Sequence, residues 1–134
     1  MKNILVKNFK VMEPIRIDLG IYKNQKSTVF TGRPQGESVR EKLDLEKEDT
    51  LNRKVIFIIP GDTNAFNPSF YLGLLFKSYK KLKLEKFEEK YSFEIDSDNA
   101  TVVKLLNNDL DDGRRSAINS LEASSSIFDS FFKK

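Results

Sequence analysis

The side chains best placed for chemistry in this sequence follow a short apolar run, VIFII, at residues 55–59. Asp62 and Thr63 come directly after the run, and Ser69 stands at the start of an amphipathic stretch. Ligands of α/β sheets bind beyond the carboxyl ends of strands, and a helix N-terminus favours phosphate or another anion. These three residues are therefore the first candidates for contact with a ligand or a partner.

The sequence offers few groups for catalysis, because its 134 residues include no histidine and no cysteine. A general base would have to be Asp, Glu, Lys or Tyr with a strongly shifted pKa. The missing thiols also remove disulfides and thiolate metal sites. We therefore expect a protein that is not an enzyme and has no catalytic residues, no metal and no cofactor.

Ser69 supports two interpretations. The first is a phosphate acceptor, or a hydroxyl presented to a partner, at the positive end of a helix. The second is an ordinary serine near a helix start, which satisfies a backbone N–H group that has no partner within the helix.

The stretch Thr31–Gly36 holds two glycines and a proline, which predicts a loop between a strand and a helix. Arg33 has the geometry to clamp an anion in bidentate fashion, and Gly36 is the second candidate contact. On this hypothesis the protein is a small-ligand or nucleotide sensor. The alternative is a turn whose glycines permit unusual backbone dihedral angles.

Composition favours one folded domain, since hydrophobic residues make up 39% of the chain and include eleven phenylalanines. The 23 basic residues exceed the 20 acidic ones only slightly, and glutamates follow the basic run at 77–86, so nucleic acid is not an expected partner. No apolar run approaches the roughly 20 residues of a membrane span. Lysines interrupt the first ten residues, which therefore lack the core of a signal peptide. We expect a cytoplasmic protein with no membrane contact.

The first half of the chain predicts two strands, a helix and a buried strand. Ile15–Leu19 alternates apolar and charged residues and pairs with Ser27–Phe30 as a hairpin. Glu37–Leu45 has helical spacing, and residues 46–53 form a charged connector. The run at 55–59 has no polar alternation, which predicts the central strand of the sheet, covered on both faces.

The second half predicts a helix from Pro68 or Ser69 to about Leu82. A charged link, with or without a short helix, leads to a last strand at Ser92–Ile95. A further helix is capped by Ser97 or Asp98, and Gly113 ends or bends it. Residues 116–121 are predicted as one more helical segment.

The fold class is therefore α/β, with a mixed sheet of four to five strands and about three to four helices. Residues 1–121 form the domain. Residues 122–134 form a tail rich in serine and phenylalanine, which docks on the domain, docks on a partner or stays flexible.

The motifs at the two helix starts resemble those of the STAS-like family. This is a group of small bacterial domains related in fold to the STAS domains of anti-sigma-factor antagonists and sulfate transporters. The similarity covers residues 15–110 and is carried by Gly32-Arg33, Gly36-Glu37, Arg40-Glu41, Leu43, Val55, Gly61-Asp62-Thr63 and Ser69-Phe70.

The resemblance implies a cytoplasmic domain of a bacterium or phage that works by docking rather than catalysis. It implies a partner as well, an ATP-binding protein of the histidine-kinase type. In the related antagonists, the second hydroxyl of an Asp-Ser-Ser/Thr-Gly motif at the start of the second helix takes a phosphate. Here Pro68 replaces the acidic residue and Phe70 replaces the acceptor, so Ser69 alone remains.

The docking hypothesis gives the partner-binding surface six residues: Asp62, Thr63, Phe66, Ser69, Phe70 and Tyr71. Its three aromatic side chains would be exposed apolar anchors. The alternative is that these aromatics pack in the core. Beside docking and ligand sensing, a third hypothesis is a homo-oligomer held together by the tail.

Overall fold

The computed structural model describes residues 12–23 and 26–132, with side chains as far as Ser124. Its main sheet has three parallel strands in the order β1-β3-β5, where β1 is Ile15–Asp18, β3 is Val55–Pro60 and β5 is Tyr91–Asp96. The predicted central strand and the predicted last strand are both confirmed.

One face of β3 is fully buried, through Val55, Phe57 and Ile59. On the other face Ile56 and Ile58 are half-buried, so the prediction of complete cover on both faces is wrong. The reason lies in the neighbouring strands. Polar residues flank Ile56 and Ile58 in register, and on that face Arg16 of β1 forms an ion pair with Glu94 of β5.

A second sheet consists of β2, Val29–Phe30, paired in parallel with β4, Ala65–Phe66. The predicted hairpin between the first two strands is therefore wrong, since β1 pairs with β3 instead. The chain leaves β1 through a 3-10 helix, Leu19–Tyr22, whose Leu19 is fully buried. Because Leu19 is buried in this helix, the residues after it do not return to pair with β1. The α/β class is confirmed, but the five strands within the described residues form two parallel sheets rather than one mixed sheet.

Helix α1 spans Arg33–Leu43, so residues 33–36 form its first turn and the predicted loop there is wrong. Pro34 suits this turn because its missing N–H group costs nothing. Gly32, at φ 91°, precedes the helix, and Asp44, in the left-handed conformation, follows it. A short helix, α2, Leu45–Glu48, begins at the last residue of the predicted helix and extends into the predicted connector.

Helix α3 spans Pro68–Lys90 and is broken at Lys83, whose φ is 68°. The break confirms the predicted helix to about Leu82, and the link that follows, for which the sequence left a short helix open, is helical. Asn67 is the N-cap, because its side-chain oxygen accepts a hydrogen bond from the Ser69 N–H group.

Helix α4 spans Ala100–Phe132 without the predicted end at Gly113. Gly113 is buried against the ring of Tyr71, where a Cβ atom would lie 2.5 Å from Cγ. The glycine therefore serves close packing of α4 on α3 and does not stop the helix. The cap is Asn99, whose side chain accepts from the N–H groups of Thr101 and Val102, rather than Ser97 or Asp98. The helix runs through the predicted tail boundary at 121–122. The tail's large apolar side chains, at 127, 128, 131 and 132, lie outside the described side chains.

The core lies between the main sheet and the helices and is rich in aromatic contacts. Phe57 packs against Tyr91 and Phe93 along the sheet, at ring-centroid distances of 5.7 and 5.3 Å. Tyr71 and Phe87 of α3 cover Phe93 and Tyr91, respectively. The carboxyl end of β2 is held beside the start of α3, because the Asn67 N–H group donates to the Phe30 carbonyl oxygen at 2.8 Å.

Candidate functional site

The loop after β3 carries the first predicted contact residue, Asp62. Its side chain is 70% exposed and accepts a hydrogen bond of 2.9 Å from the Lys23 ammonium group. This bond lowers the pKa of Asp62, and it outweighs a small opposing effect of burial. The pair ties the end of the 3-10 helix to the β3–β4 loop, so Asp62 is available at the surface as a charged, oriented group.

Thr63 is 2% exposed and lies inside the molecule. Its backbone N–H group donates to the Pro60 carbonyl oxygen at 3.1 Å, which closes the turn after β3. Within the described residues, its hydroxyl is the buried side-chain polar group that has no hydrogen-bond partner. In this conformation Thr63 shapes the loop and offers a partner no surface.

Phe66, Phe70 and Tyr71 are 0, 2 and 4% exposed, so the prediction that they form exposed anchors is wrong. The core-packing alternative describes them correctly. Phe66 and Phe70 form one aromatic cluster with Phe30, with ring centroids 5.1–5.2 Å apart. Phe30 and Phe66 are register partners in the β2–β4 sheet, and the Asp109 carboxylate of α4 holds β4 by accepting from the Phe66 N–H group at 2.9 Å.

The Ser69 hydroxyl joins the starts of α3 and α1. It donates to the Asn67 side-chain oxygen at 2.7 Å and accepts from the Gly32 N–H group at 3.1 Å. Ser69 is half-buried, and the capping role predicted for it belongs to Asn67. A phosphate on Ser69 would replace the contact with Gly32, so modification here would act directly on the junction of the two helices.

The two predicted anion contacts, Arg33 and Gly36, do not form a cradle. Gly36 is buried in the crossing of α1 with α3, where a Cβ atom would lie 2.3 Å from the Phe70 carbonyl oxygen. The Arg33 guanidinium lies 3.9 Å from the Glu37 carboxylate and 5.7 Å from the centre of the Phe76 ring. Arg33 therefore lies on the surface of α1 and α3, where it contacts Glu37 and Phe76.

A cleft of about 460 Å³ lies beside β2, near the Lys23–Asp62 pair. Ile21 and Val29 stand at its edge and are 72% and 37% exposed. Val39 of α1 and Phe70 of α3 are buried and contribute apolar surface to a lining that also includes polar residues such as Thr31 and Gln35. Sequence interpretation missed Ile21, because a single apolar residue between Gly20 and Tyr22 belongs to no periodic pattern. The exposed, apolar feature of this end of the molecule is thus Ile21 with Val29.

Sequence interpretation also missed a buried polar network between α1 and α3. The Arg40 guanidinium bonds to the Asp49 carboxylate at 2.9 Å and to the Ser78 hydroxyl at 2.8 Å. The other Asp49 oxygen accepts from Ser78 at 2.7 Å and from the Tyr91 hydroxyl at 2.6 Å. Burial, and then the bond to Asp49, raise the pKa of Tyr91. Each of these groups is satisfied by another, which is typical of a structural network rather than a reactive one.

A second ionic cluster adjoins this network at the start of β3. The Glu48 carboxylate accepts bonds from Arg53 at 2.6 and 2.9 Å and from Lys90 at 3.3 Å. Burial opposes ionisation of Glu48, but the hydrogen bonds and positive charges of Arg53 and Lys90 together outweigh it and leave the pKa of Glu48 below its usual range. Lys90 also donates to the carbonyl oxygens of Leu51 and Arg53, so it holds the turn that precedes β3.

Within residues 12–23 and 26–132, no group of three or more acidic side chains has the arrangement of a metal site. In the same part of the chain, no helix is both long enough and apolar enough to cross a membrane. No protein family, curated protein or solved structure matches the chain.

Proposed function

We propose that this chain is a non-enzymatic, STAS-like regulatory module that docks a partner protein. The docking surface is the end of the molecule formed by the 3-10 helix, β2 and the loop after β3. The observation that carries the proposal is Ile21, a large apolar side chain that is 72% exposed beside an open cleft.

Three features of this end are those of a protein-binding surface. Ile21 and Val29 provide apolar area that water solvates poorly, and the cleft beside them accepts an inserted side chain. The Lys23–Asp62 pair provides a charged rim. Such a centre of apolar residues with a polar border is the usual anatomy of a protein interface.

The proposed partner is an ATP-binding protein of the histidine-kinase type, in the cytoplasm of a bacterium or of a cell infected by a phage. This part of the proposal rests on the similarity of the motifs at the starts of α1 and α3 to those of the STAS-like family. Ser69 joins these two motifs through its bond to Gly32. A phosphate on Ser69 would loosen this joint and change the shape of the cleft beside it.

The test replaces Ile21 with aspartate and uses Leu105→Asp as a matched control. Leu105 is 55% exposed on α4, so both variants add a charge at an exposed apolar position. The tagged wild-type chain captures partners from its host, mass spectrometry identifies them, and calorimetry measures the affinity of the purified partner. We expect an ATP-binding partner whose Kd rises at least about tenfold with Ile21→Asp, as for an interface anchor, and stays unchanged with Leu105→Asp. Equal affinities for wild type and Ile21→Asp would refute the docking surface.

A further inference from the structure

Within residues 12–23 and 26–132, the outer edge of β2 bonds to the chain's own Ser27 side chain and to no other strand. The Val29 N–H group donates to the Ser27 hydroxyl oxygen at 3.1 Å, and the same hydroxyl donates to the Val29 carbonyl oxygen at 3.0 Å. The carbonyl oxygens of Thr28 and Phe30 face the other way and accept from the N–H groups of Asn64 and Asn67. Because successive residues of a strand point in opposite directions, Val29 presents its backbone groups to the side away from β4.

The cleft beside this edge has room for a side chain, and its lining contains apolar as well as polar residues. Its volume is about 460 Å³, and Val39 and Phe70 contribute buried apolar surface to it. Ser27 and Val29 line it together with Ile21. An extended chain laid along the outer edge of β2 would therefore direct alternate side chains towards this space.

The charge of the cleft specifies the chemistry of such a chain. Lys23 and Lys42 are among its lining residues, and the described residues that line it include no carboxylate. Asp62 already pairs with Lys23, whereas Lys42 is exposed on α1. An acidic side chain placed near Lys42 would thus be favoured over a basic one.

We propose that the docked partner contributes an extended segment that adds to β2 as a further strand. Its backbone takes the place of the Ser27 hydroxyl on Val29, an apolar side chain enters the cleft, and an acidic side chain lies beside Lys42. This is recognition by strand addition, in which backbone bonds give affinity and alternate side chains give specificity. The inference rests on the proposed docking function and names the form of its ligand.

The probe is a phage-displayed library of random dodecapeptides, selected against the whole chain. We expect enrichment of peptides that alternate apolar residues with polar ones and contain Asp or Glu. The best peptide, labelled with fluorescein, then gives Kd values by anisotropy for wild type and variants. Lys42→Glu should weaken binding about tenfold or more if an acidic side chain lies beside it.

Ser27→Ala provides the distinguishing result. Removal of the competing hydroxyl should lower the Kd of the peptide about fivefold. That factor corresponds to the net free energy of about one hydrogen bond. Thr50→Ala is the matched control, because the Thr50 hydroxyl bonds to its own backbone turn, at the Lys47 carbonyl, and leaves the cleft untouched. In the wild type, bound peptide should also slow hydrogen exchange of the Val29 amide.

Weaker or unchanged binding by Ser27→Ala, with no added protection of Val29, would overturn strand addition. Selection of no peptide would overturn it as well. If Ile21→Asp still abolishes partner binding in that case, docking survives and only its mode is wrong. Two further results would overturn the proposal. If the Val29 amide exchanges slowly in the free protein because the protein is a dimer, a second copy occupies the edge. If it exchanges slowly in the free protein but quickly after deletion of residues 1–11, the chain's own N-terminal segment occupies the edge.

Discussion

At the scale of single residues, two glycines determine how closely α1 and α3 approach. A Cβ atom on Gly36 would lie 2.3 Å from the Phe70 carbonyl oxygen, and one on Gly73 would lie 2.2 Å from that of Arg33. The sequence interpretation took Gly36 for a loop residue, since glycine near proline usually marks a turn. The contact that requires it comes from residues more than thirty positions away, which no local pattern reveals.

The candidate site shows the same limit. Asp62 is exposed, as the docking hypothesis requires of a contact residue, whereas Thr63 beside it is buried. For the aromatic residues nearby, the docking hypothesis is wrong and the core-packing alternative is right. Burial of Phe66 and Phe70 depends on the pairing of β2 with β4 and on Phe30, which local sequence does not show. No sequence pattern indicates that Ile21 is exposed, although it is the most exposed large apolar side chain among the described residues.

The Glu48 cluster makes a residue-scale prediction about pH. Because the pKa of Glu48 is lowered in the folded state, its contribution to stability is complete above the unfolded pKa of about 4.3 and is lost as the pH falls through the folded pKa. At pH 7, Glu48→Gln should lower the free energy of unfolding by about 3 kcal/mol, since Arg53 and Lys90 lose their buried counter-charge. That difference from wild type should begin to shrink as the pH falls below the unfolded pKa of about 4.3, and it should fade below the folded pKa, where the folded wild type also loses the charge.

Urea denaturation at a series of pH values measures this difference. Glu41→Gln, an exposed position on α1, serves as control and should stay within about 0.5 kcal/mol of wild type throughout. A difference for Glu48→Gln that stays constant down to acid pH would contradict the assignment of the charge.

At the scale of elements, the local sequence pattern predicted which segments form a strand or a helix, but not which strands pair. The unbroken apolar run at 55–59 correctly indicated the central strand, and the stripe from Pro68 to Leu82 correctly indicated the first part of α3. The hairpin failed because Leu19 is buried in a 3-10 helix, so β2 pairs with β4 instead of returning to β1. Strand partners depend on tertiary burial, which a run of two to five residues does not encode.

Gly113 allows an element-scale prediction in which the two interpretations differ in sign. If glycine ended the helix, alanine would extend it, and stability would rise by up to about 1 kcal/mol. In the observed packing, a new Cβ atom meets the Tyr71 ring, whose hydroxyl bonds to Tyr79 at 2.6 Å. We expect Gly113→Ala to lower the free energy of unfolding by about 2 kcal/mol in chemical denaturation, as overpacking does. Asn108→Ala, at an exposed position of α4, is the control and should raise it by about 0.5 kcal/mol.

At the scale of the whole molecule, α1, α3 and α4 and the main sheet form one body around the aromatic core. The small β2–β4 sheet lies at one end of that body, with Ile21 and the cleft. Buried networks, such as that of Arg40 and Asp49, brace the junction of α1, α2 and α3. The proposed docking surface is thus an edge built beside a closely packed core.

Burial of the described side chains along α4 ends before residue 122. The last fully buried side chain described in α4 is Ala117, and residues 122–124 are exposed. We therefore expect a chain ending at residue 121 to unfold cooperatively within about 4 °C of the full chain, a shift that corresponds to about 1 kcal/mol. Circular dichroism measures this transition, and light scattering of the same samples measures mass. If residues 122–134 join copies of the chain, the full chain will have the mass of an oligomer and the shortened chain that of a monomer. A shortened chain that fails to fold would instead show that the last turns of α4 belong to the core.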